Sequence, residues 1–459
     1  MRASSILMAL GLGVVPAFGC GASGSPDAAS ADAATADAAM DSAPLGDATI
    51  ADGTPPADAD PPFDGSLSDG QPPGEDARDA SAAPCVERNA PAQVMARDGF
   101  IEVCPTGNSR AVCGDGTPYR FSYRPAMGPS AGLLVYFRGG GNCTDYLTCW
   151  GRDGMGGPGR TVGTLSNERT SPEILPALGR TFGLFDRADP TALFADFDVL
   201  YLPYCSGDGG LQSSEQTFAR PPGADPSAPP MITTYFRGID NRQAALAWAV
   251  TRFARPARLM VWGSSAGSYA SIGAIPEVVA AWPAVRDVTW WGEGGVGVGR
   301  PSFSALVDDT IARFDGAASR PLVRFVQFSY ASDATQRQFA PAPFNADEPA
   351  FRGEVRRLVE ARAARHPNHY RYVVPAGTCH TLALEPSLYQ AFRRVGTGWQ
   401  PVMPAVRPNP ELVFSGVSLV TLIRQVSRGT GAFDASLANI APDGSTANTR
   451  CEIVRGDAL

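Results

Sequence analysis

The stretch RLMVWGSSAGS, residues 258–268, reads as a buried strand that ends in a Gly/Ser turn. Leu259 to Trp262 is an unbroken apolar run, the pattern of a strand covered on both faces in a parallel sheet. Residues 268–281 then read as a helix, with an interruption expected near Pro276. Between the two lies Gly263-Ser264-Ser265-Ala266-Gly267, a G-x-S-x-G pattern. Strand, sharp turn and helix in that order present the central serine at a strained corner, ahead of the unsatisfied N–H groups of a helix start. Ser265 is therefore the candidate nucleophile, and the N–H of Ala266 a candidate oxyanion donor.

Working outward, 133–137 (LLVYF), 197–202 (FDVLYL), 322–330 (LVRFVQFSY) and 370–374 (YRYVV) read as further strands. Residues 240–253 and 354–365 have helical periodicity, and PPGADPSAPP (221–230) reads as a surface loop. Strands alternating with helices predict an α/β fold of the α/β-hydrolase-like kind, a mostly parallel sheet flanked by helices. Parallel strands deliver the loops that follow them to one edge of the sheet. His380 follows the 370–374 strand and Asp333 follows the 322–330 strand, so both are expected on the edge that carries Ser265. His366 and His369 precede their strand and fit less well. The rival acids Asp240, Asp308 and Asp309 sit in helix-like contexts. Ser265, Asp333 and His380 also stand in the chain order of an α/β-hydrolase triad. The loop Gly139-Gly140-Gly141-Asn142 after the first strand offers a second set of main-chain donors that no Cβ obstructs.

Composition narrows the chemistry. The 459-residue chain contains no lysine, which excludes Schiff bases, a phosphate-loop lysine and a Ser-Lys dyad. Residues 21–84 hold twelve Asp and one Glu against a single Arg, with Phe63 the one aromatic. Such a segment is expected to be a disordered linker. The remainder is nearly neutral, which argues against nucleic acid as a partner. Residues 1–20 read as a signal peptide, with Arg2 followed by an apolar stretch too short to span a bilayer. It ends in a sequence resembling a bacterial lipoprotein box, with Cys20 the lipidation site. The expectation is an exported cell-envelope lipoprotein, touching membrane only through that anchor, with plain secretion as the alternative. The α/β-hydrolase-like domain would occupy 85–459.

Eight cysteines remain after Cys20, an even number that favours disulfides in an exported chain. The short-range candidates are Cys104 with Cys113 and Cys143 with Cys149. There is no CxxC pair and only three histidines, so neither a metal nor another cofactor is expected.

FRGGGNC (137–143), LPYCSGD (202–208), FRGID (236–240), WGSSAGS (262–268), SYASDATQ (329–336) and PAGTCHT (375–381) occur in the order seen in the pectin acetylesterase and Notum-like family of serine carboxylesterases, which this chain resembles. The resemblance implies ester deacylation by Ser265, Asp333 and His380. It implies oxyanion donors at Gly140, Gly141 and Ala266. It also shows departures, since Arg138 and Asn142 flank the Gly loop where plant members and Notum carry an acidic residue and an aromatic. Gly209-Gly210 stand where bacterial relatives often have a histidine. The implied substrate is an acylated polysaccharide or small ester, the acyl group acetyl, and the enzyme a monomer. A lipid or polyester hydrolase and a non-catalytic carbohydrate-binding protein on the same fold are the alternatives.

Overall fold

The five strands expected from sequence all enter one sheet, whose order is β1 (Ile101–Val103), β2 (Phe121–Arg124), β4 (Asp198–Leu202), β3 (Leu133–Phe137), β7 (Leu259–Ser264), β8 (Asp287–Glu293), β9 (Leu322–Phe328) and β10 (Tyr370–Val373). Strands β4, β3, β7, β8, β9 and β10 run parallel, and β2 is antiparallel to both β1 and β4. Outside this sheet, β5 (Ser214–Ala219) and β6 (Met231–Phe236) pair as a separate hairpin joined by the Pro-rich loop, and β11 (Phe392–Val395) with β12 (Gly398–Pro401) and β13 (Val413–Phe414) with β14 (Val417–Ser418) form two further antiparallel pairs. This is an α/β-hydrolase-like sheet. The computed structural model describes residues 99–105, 108–149, 193–224, 226, 228–315, 321–374, 380–381, 392–395, 398–401, 413–414 and 417–429. The signal segment 1–20 with Cys20, and the linker 21–84, lie outside these. Among the described residues no helix is long and apolar enough to cross a membrane.

Strand β8 was not expected. In register, Val261 faces Trp290 and Trp262 faces Trp291, and those two tryptophans face Phe325 and Val326 of β9. Residues Val288 to Glu293 are all buried, so the strand lacks the polar alternation that would announce it. Consecutive side chains point to opposite faces. Trp290 donates its indole N–H to the Ser271 hydroxyl at 2.8 Å on one face. Thr289, on the other, lies under the helix Leu419–Arg428, donating to the Val426 carbonyl at 3.5 Å. Helices therefore cover both faces, and each buried Val or Phe contributes roughly 1.5–3 kcal/mol.

The described helices are α1 (Tyr146–Cys149), α2 (Gly238–Arg252), α3 (Ala266–Ala281), α4 (Pro301–Phe314), α5 (Ala334–Phe339), α6 (Glu348–Arg365) and α7 (Leu419–Arg428). Helix α3 runs through Pro276 without interruption, correcting the expected break. A mid-helix proline costs roughly 3 kcal/mol. Here Ile272, Ala274, Ile275 and Val278 on either side are fully buried against the sheet, and that packing outweighs the missing hydrogen bond.

One disulfide expectation is overturned. Cys113 bonds to Cys205, 92 residues away, rather than to Cys104, which is itself disulfide-bonded. The pairing follows from topology. The Cys113 loop lies over the end of β4, where the Gly114 N–H donates to the Cys205 carbonyl. Cys143 and Cys149 are bonded as expected.

Candidate active site

Ser265 occupies the corner between β7 and α3. Among the described residues it is the one non-glycine with a positive φ, at 57°. A conformation of that kind holds of order 1–3 kcal/mol of strain and persists only where the surroundings enforce it. They do so here. The Ser265 N–H donates to the Glu293 carbonyl at 2.8 Å, and the Ser265 carbonyl accepts from Ser268 at 2.8 Å. A Cβ on Gly263 would lie 2.2 Å from the Gly267 carbonyl oxygen, and one on Gly267 would lie 2.1 Å from that of Phe137. Both glycines of the motif are thus required by close backbone approach.

His380 Nε2 lies 2.7 Å from Ser265 Oγ. Its Nδ1 lies 2.8 and 3.0 Å from the two carboxylate oxygens of Asp333. Asp333 has no exposed side-chain surface and His380 only 12%. The three residues singled out in the sequence therefore form one continuous hydrogen-bonded line. A carboxylate on Nδ1 fixes the tautomer that leaves Nε2 free to take a proton. Gly294, at a φ of 63°, lies beneath the imidazole, and a Cβ there would meet His380 Cε1 at 3.0 Å.

Asp333 is held in turn. It caps α5, its Oδ1 accepting the Gln336 N–H at 2.9 Å, and its Oδ2 accepts the Gln336 side-chain amide at 2.8 Å. That same amide donates to Ser329 Oγ at 2.8 Å, and its oxygen accepts the Val296 N–H at 2.9 Å. Gln336 is the residue that sequence reasoning passed over. The signal was present in its position three residues after an N-cap acid, where a glutamine can reach back.

An open cavity begins at Ser265 and His380. Gly141 and Ala266 line it, and their N–H groups, like that of Gly140, donate to no acceptor among the described residues. Gly140 lies one residue outside the lining. The opposite wall is largely apolar, made by Tyr269, Val298, Phe303, Phe339 and Ala340. Tyr269 stacks on Phe303 with ring centroids 4.3 Å apart. Burial pushes its phenol up to about 12, against a smaller lowering by the Gly297 N–H that it accepts. The ring therefore stays neutral.

The other marked residues have structural partners. Asp208, buried in LPYCSGD, accepts from Ser206, Gly210, Gln212 and Gly238 at 2.5 to 3.1 Å. Those four donors set the shape of the loop between β4 and β5. His366 and His369 both pair with Asp315, at 2.9 and 3.3 Å, away from Ser265. Among the rival acids, Asp308 pairs with Arg362 and Arg365, Asp240 with Arg110, and Asp309 is exposed.

The profile of the family described as Pectinacetylesterase matches residues 99–304. Two crystal forms of the Wnt deacylase Notum from Drosophila are similar in structure. One is 14% identical with a TM-score of 0.48, covering 76% of this chain and 99% of Notum. The other is 12% identical with a TM-score of 0.45, covering 76% and 98%. No curated protein sequence matches the chain. Residues 99–304, which hold the Gly loop and the Ser265 elbow, are thus similar to the pectinacetylesterase family, and a carboxylic ester hydrolase is the activity that this similarity supports.

Proposed function

We propose that this protein is an exported serine esterase that removes a short acyl group, acetyl above all, from a polysaccharide or other ester. The observation that carries the reading is the hydrogen-bonded line Ser265–His380–Asp333 opening into a cavity beside unengaged main-chain donors. Ser265 Oγ attacks the ester carbonyl while His380 Nε2 takes its proton. Asp333 stabilises the imidazolium. The oxyanion is held by the N–H groups of Gly140, Gly141 and Ala266. His380 then protonates the departing alkoxide, leaving Ser265 acylated. Water activated by the same imidazole releases the acid. The acyl group lies against the apolar wall of Tyr269, Val298 and Phe303. The disulfides Cys113–Cys205 and Cys143–Cys149 support an oxidising compartment. In this reading the chain is a monomer held to the envelope by a lipid on Cys20.

The test is hydrolysis of p-nitrophenyl acetate and labelling by a fluorophosphonate. Wild type should be active and labelled on Ser265, and Ser265→Ala should lose both while remaining folded. Full activity in Ser265→Ala would overturn the assignment. A strong preference for long-chain esters would assign the apolar wall to a fatty acyl group instead.

A further inference from the structure

The residue that supports the elbow most directly is not one of the three catalytic side chains. Glu293 ends β8 directly beside Ser264 in the parallel register, and none of its surface is exposed. Its main-chain carbonyl accepts the Ser265 N–H at 2.8 Å. Its carboxylate oxygen Oε1 accepts the hydroxyl of Ser264. Ser264 Oγ is in turn 3.0 Å from the Tyr136 hydroxyl. With Ser264 donating to the carboxylate, Tyr136 is the donor to Ser264. Burial pushes the Tyr136 phenol well above its usual range, so it keeps the proton that this direction requires. The chain then leaves Glu293 for Gly294, whose backbone supports the His380 ring, and for Gly295, whose Cβ position would lie 3.1 Å from the Ser265 carbonyl.

A carboxylate sealed in a core is expensive unless several groups hold it. This one stands at the junction of nucleophile and base. An apolar residue could fill the same volume and seal the sheet, but it could not hold Ser264. We propose that Glu293 is a positioning residue for the proposed reaction. Its carboxylate fixes Ser264 while its carbonyl fixes Ser265, so that the strained elbow and the seat of His380 are set by one residue. This inference rests on Ser265 being the nucleophile.

The variants are Glu293→Gln, Glu293→Leu and Ser264→Ala, assayed per folded molecule on p-nitrophenyl acetate and for the rate of fluorophosphonate labelling. Glu293→Gln keeps an acceptor for Ser264 and should retain kcat within about threefold of wild type. Glu293→Leu and Ser264→Ala should lower kcat by about tenfold or more, with KM within about twofold and labelling slowed by the same factor as kcat. Should Glu293→Leu fail to fold, Ser264→Ala, which changes little volume, decides the question. Folded Ser264→Ala with wild-type kcat and labelling would overturn the proposal. So would a Glu293→Gln loss as large as that of Glu293→Leu, because charge rather than positioning would then be responsible. Labelling of wild type separates the two readings. Unlabelled wild type removes the esterase assignment, whereas labelled wild type with unaffected variants removes only the role of Glu293.

Discussion

A Cβ on Gly139 would lie 2.5 Å from the Cβ of Ser265. The Gly loop and Ser265 are thus in direct contact, with the Ser264 carbonyl and the Ala266 nitrogen at 2.2 and 2.9 Å from the same point. All three neighbours are backbone or Cβ atoms and cannot swing aside. Gly139→Ala should therefore displace the loop from the elbow. The expected loss is that of one misaligned oxyanion donor, ~2.7–4 kcal/mol or on the order of a hundredfold or more in kcat. Steady-state kinetics on p-nitrophenyl acetate, with circular dichroism as the folding control, measure it. An unaffected kcat would show that the loop does not serve Ser265.

Gln336 gives a second expectation. It donates twice to Asp333 and once to Ser329, and accepts from Val296. Gln336→Leu keeps the main-chain bond and removes the side-chain ones. A hydrogen bond to a charged group is worth about 1.5–3 kcal/mol, so kcat should fall about ten- to a hundredfold. Asp333→Asn should fall much further, on the order of ten-thousandfold, by presenting the wrong tautomer of His380. A larger effect from Gln336→Leu than from Asp333→Asn would contradict this order.

The disulfides Cys113–Cys205 and Cys143–Cys149 should separate stability from catalysis. Cys113–Cys205 spans 92 residues and Cys143–Cys149 only 6. Removing the long one with alanines should cost about 2–5 kcal/mol of stability. The short one closes the segment immediately after Gly141, and the Cys143 N–H is tied to the Gly207 carbonyl at 2.9 Å. Its removal should lower kcat more than the melting temperature. Thermal scans and kinetics on the two double variants give the comparison, and the reverse pattern would refute it.

Alkaline stability follows from buried phenols. Burial raises Tyr119, Tyr136, Tyr201, Tyr204, Tyr269 and Tyr370 above the ordinary tyrosine value of about 10. The folded state thus holds protons that the unfolded chain releases at about pH 10. Their contribution is complete below that pH and declines as pH rises toward the folded values. The melting temperature should be insensitive to these groups at neutral pH and fall steeply above about pH 10. Tyrosinate absorbance from them should appear with unfolding; its appearance in a still-folded protein would contradict the assignment.

Sequence reading picked out the three residues that the fold brings together because each follows an apolar run that ends in a loop on one sheet edge. Ser265, Asp333 and His380 were legible as positions after strands, which the parallel topology brings together. The same logic passed over β8, whose Thr289-Trp290-Trp291 run is buried on both faces and carries no period. It passed over Glu293 for the same reason, since a lone acid after two tryptophans announces no partner. Cys113 was misassigned because chain proximity favoured Cys104, while the fold lays the Cys113 loop on the end of β4. Pro276 was over-read, because the helix around it is held by tertiary packing and not by propensity.

The clamp of His366 and His369 on Asp315 has a spectroscopic consequence. The chain has three imidazoles, and two share one carboxylate far from the cavity. An imidazole-selective NMR spectrum of this protein is therefore nearly background-free. When Ser265 is covalently modified, one resonance should move while two stay fixed as internal standards. Proton transfer at His380 can thus be followed without site-directed labels.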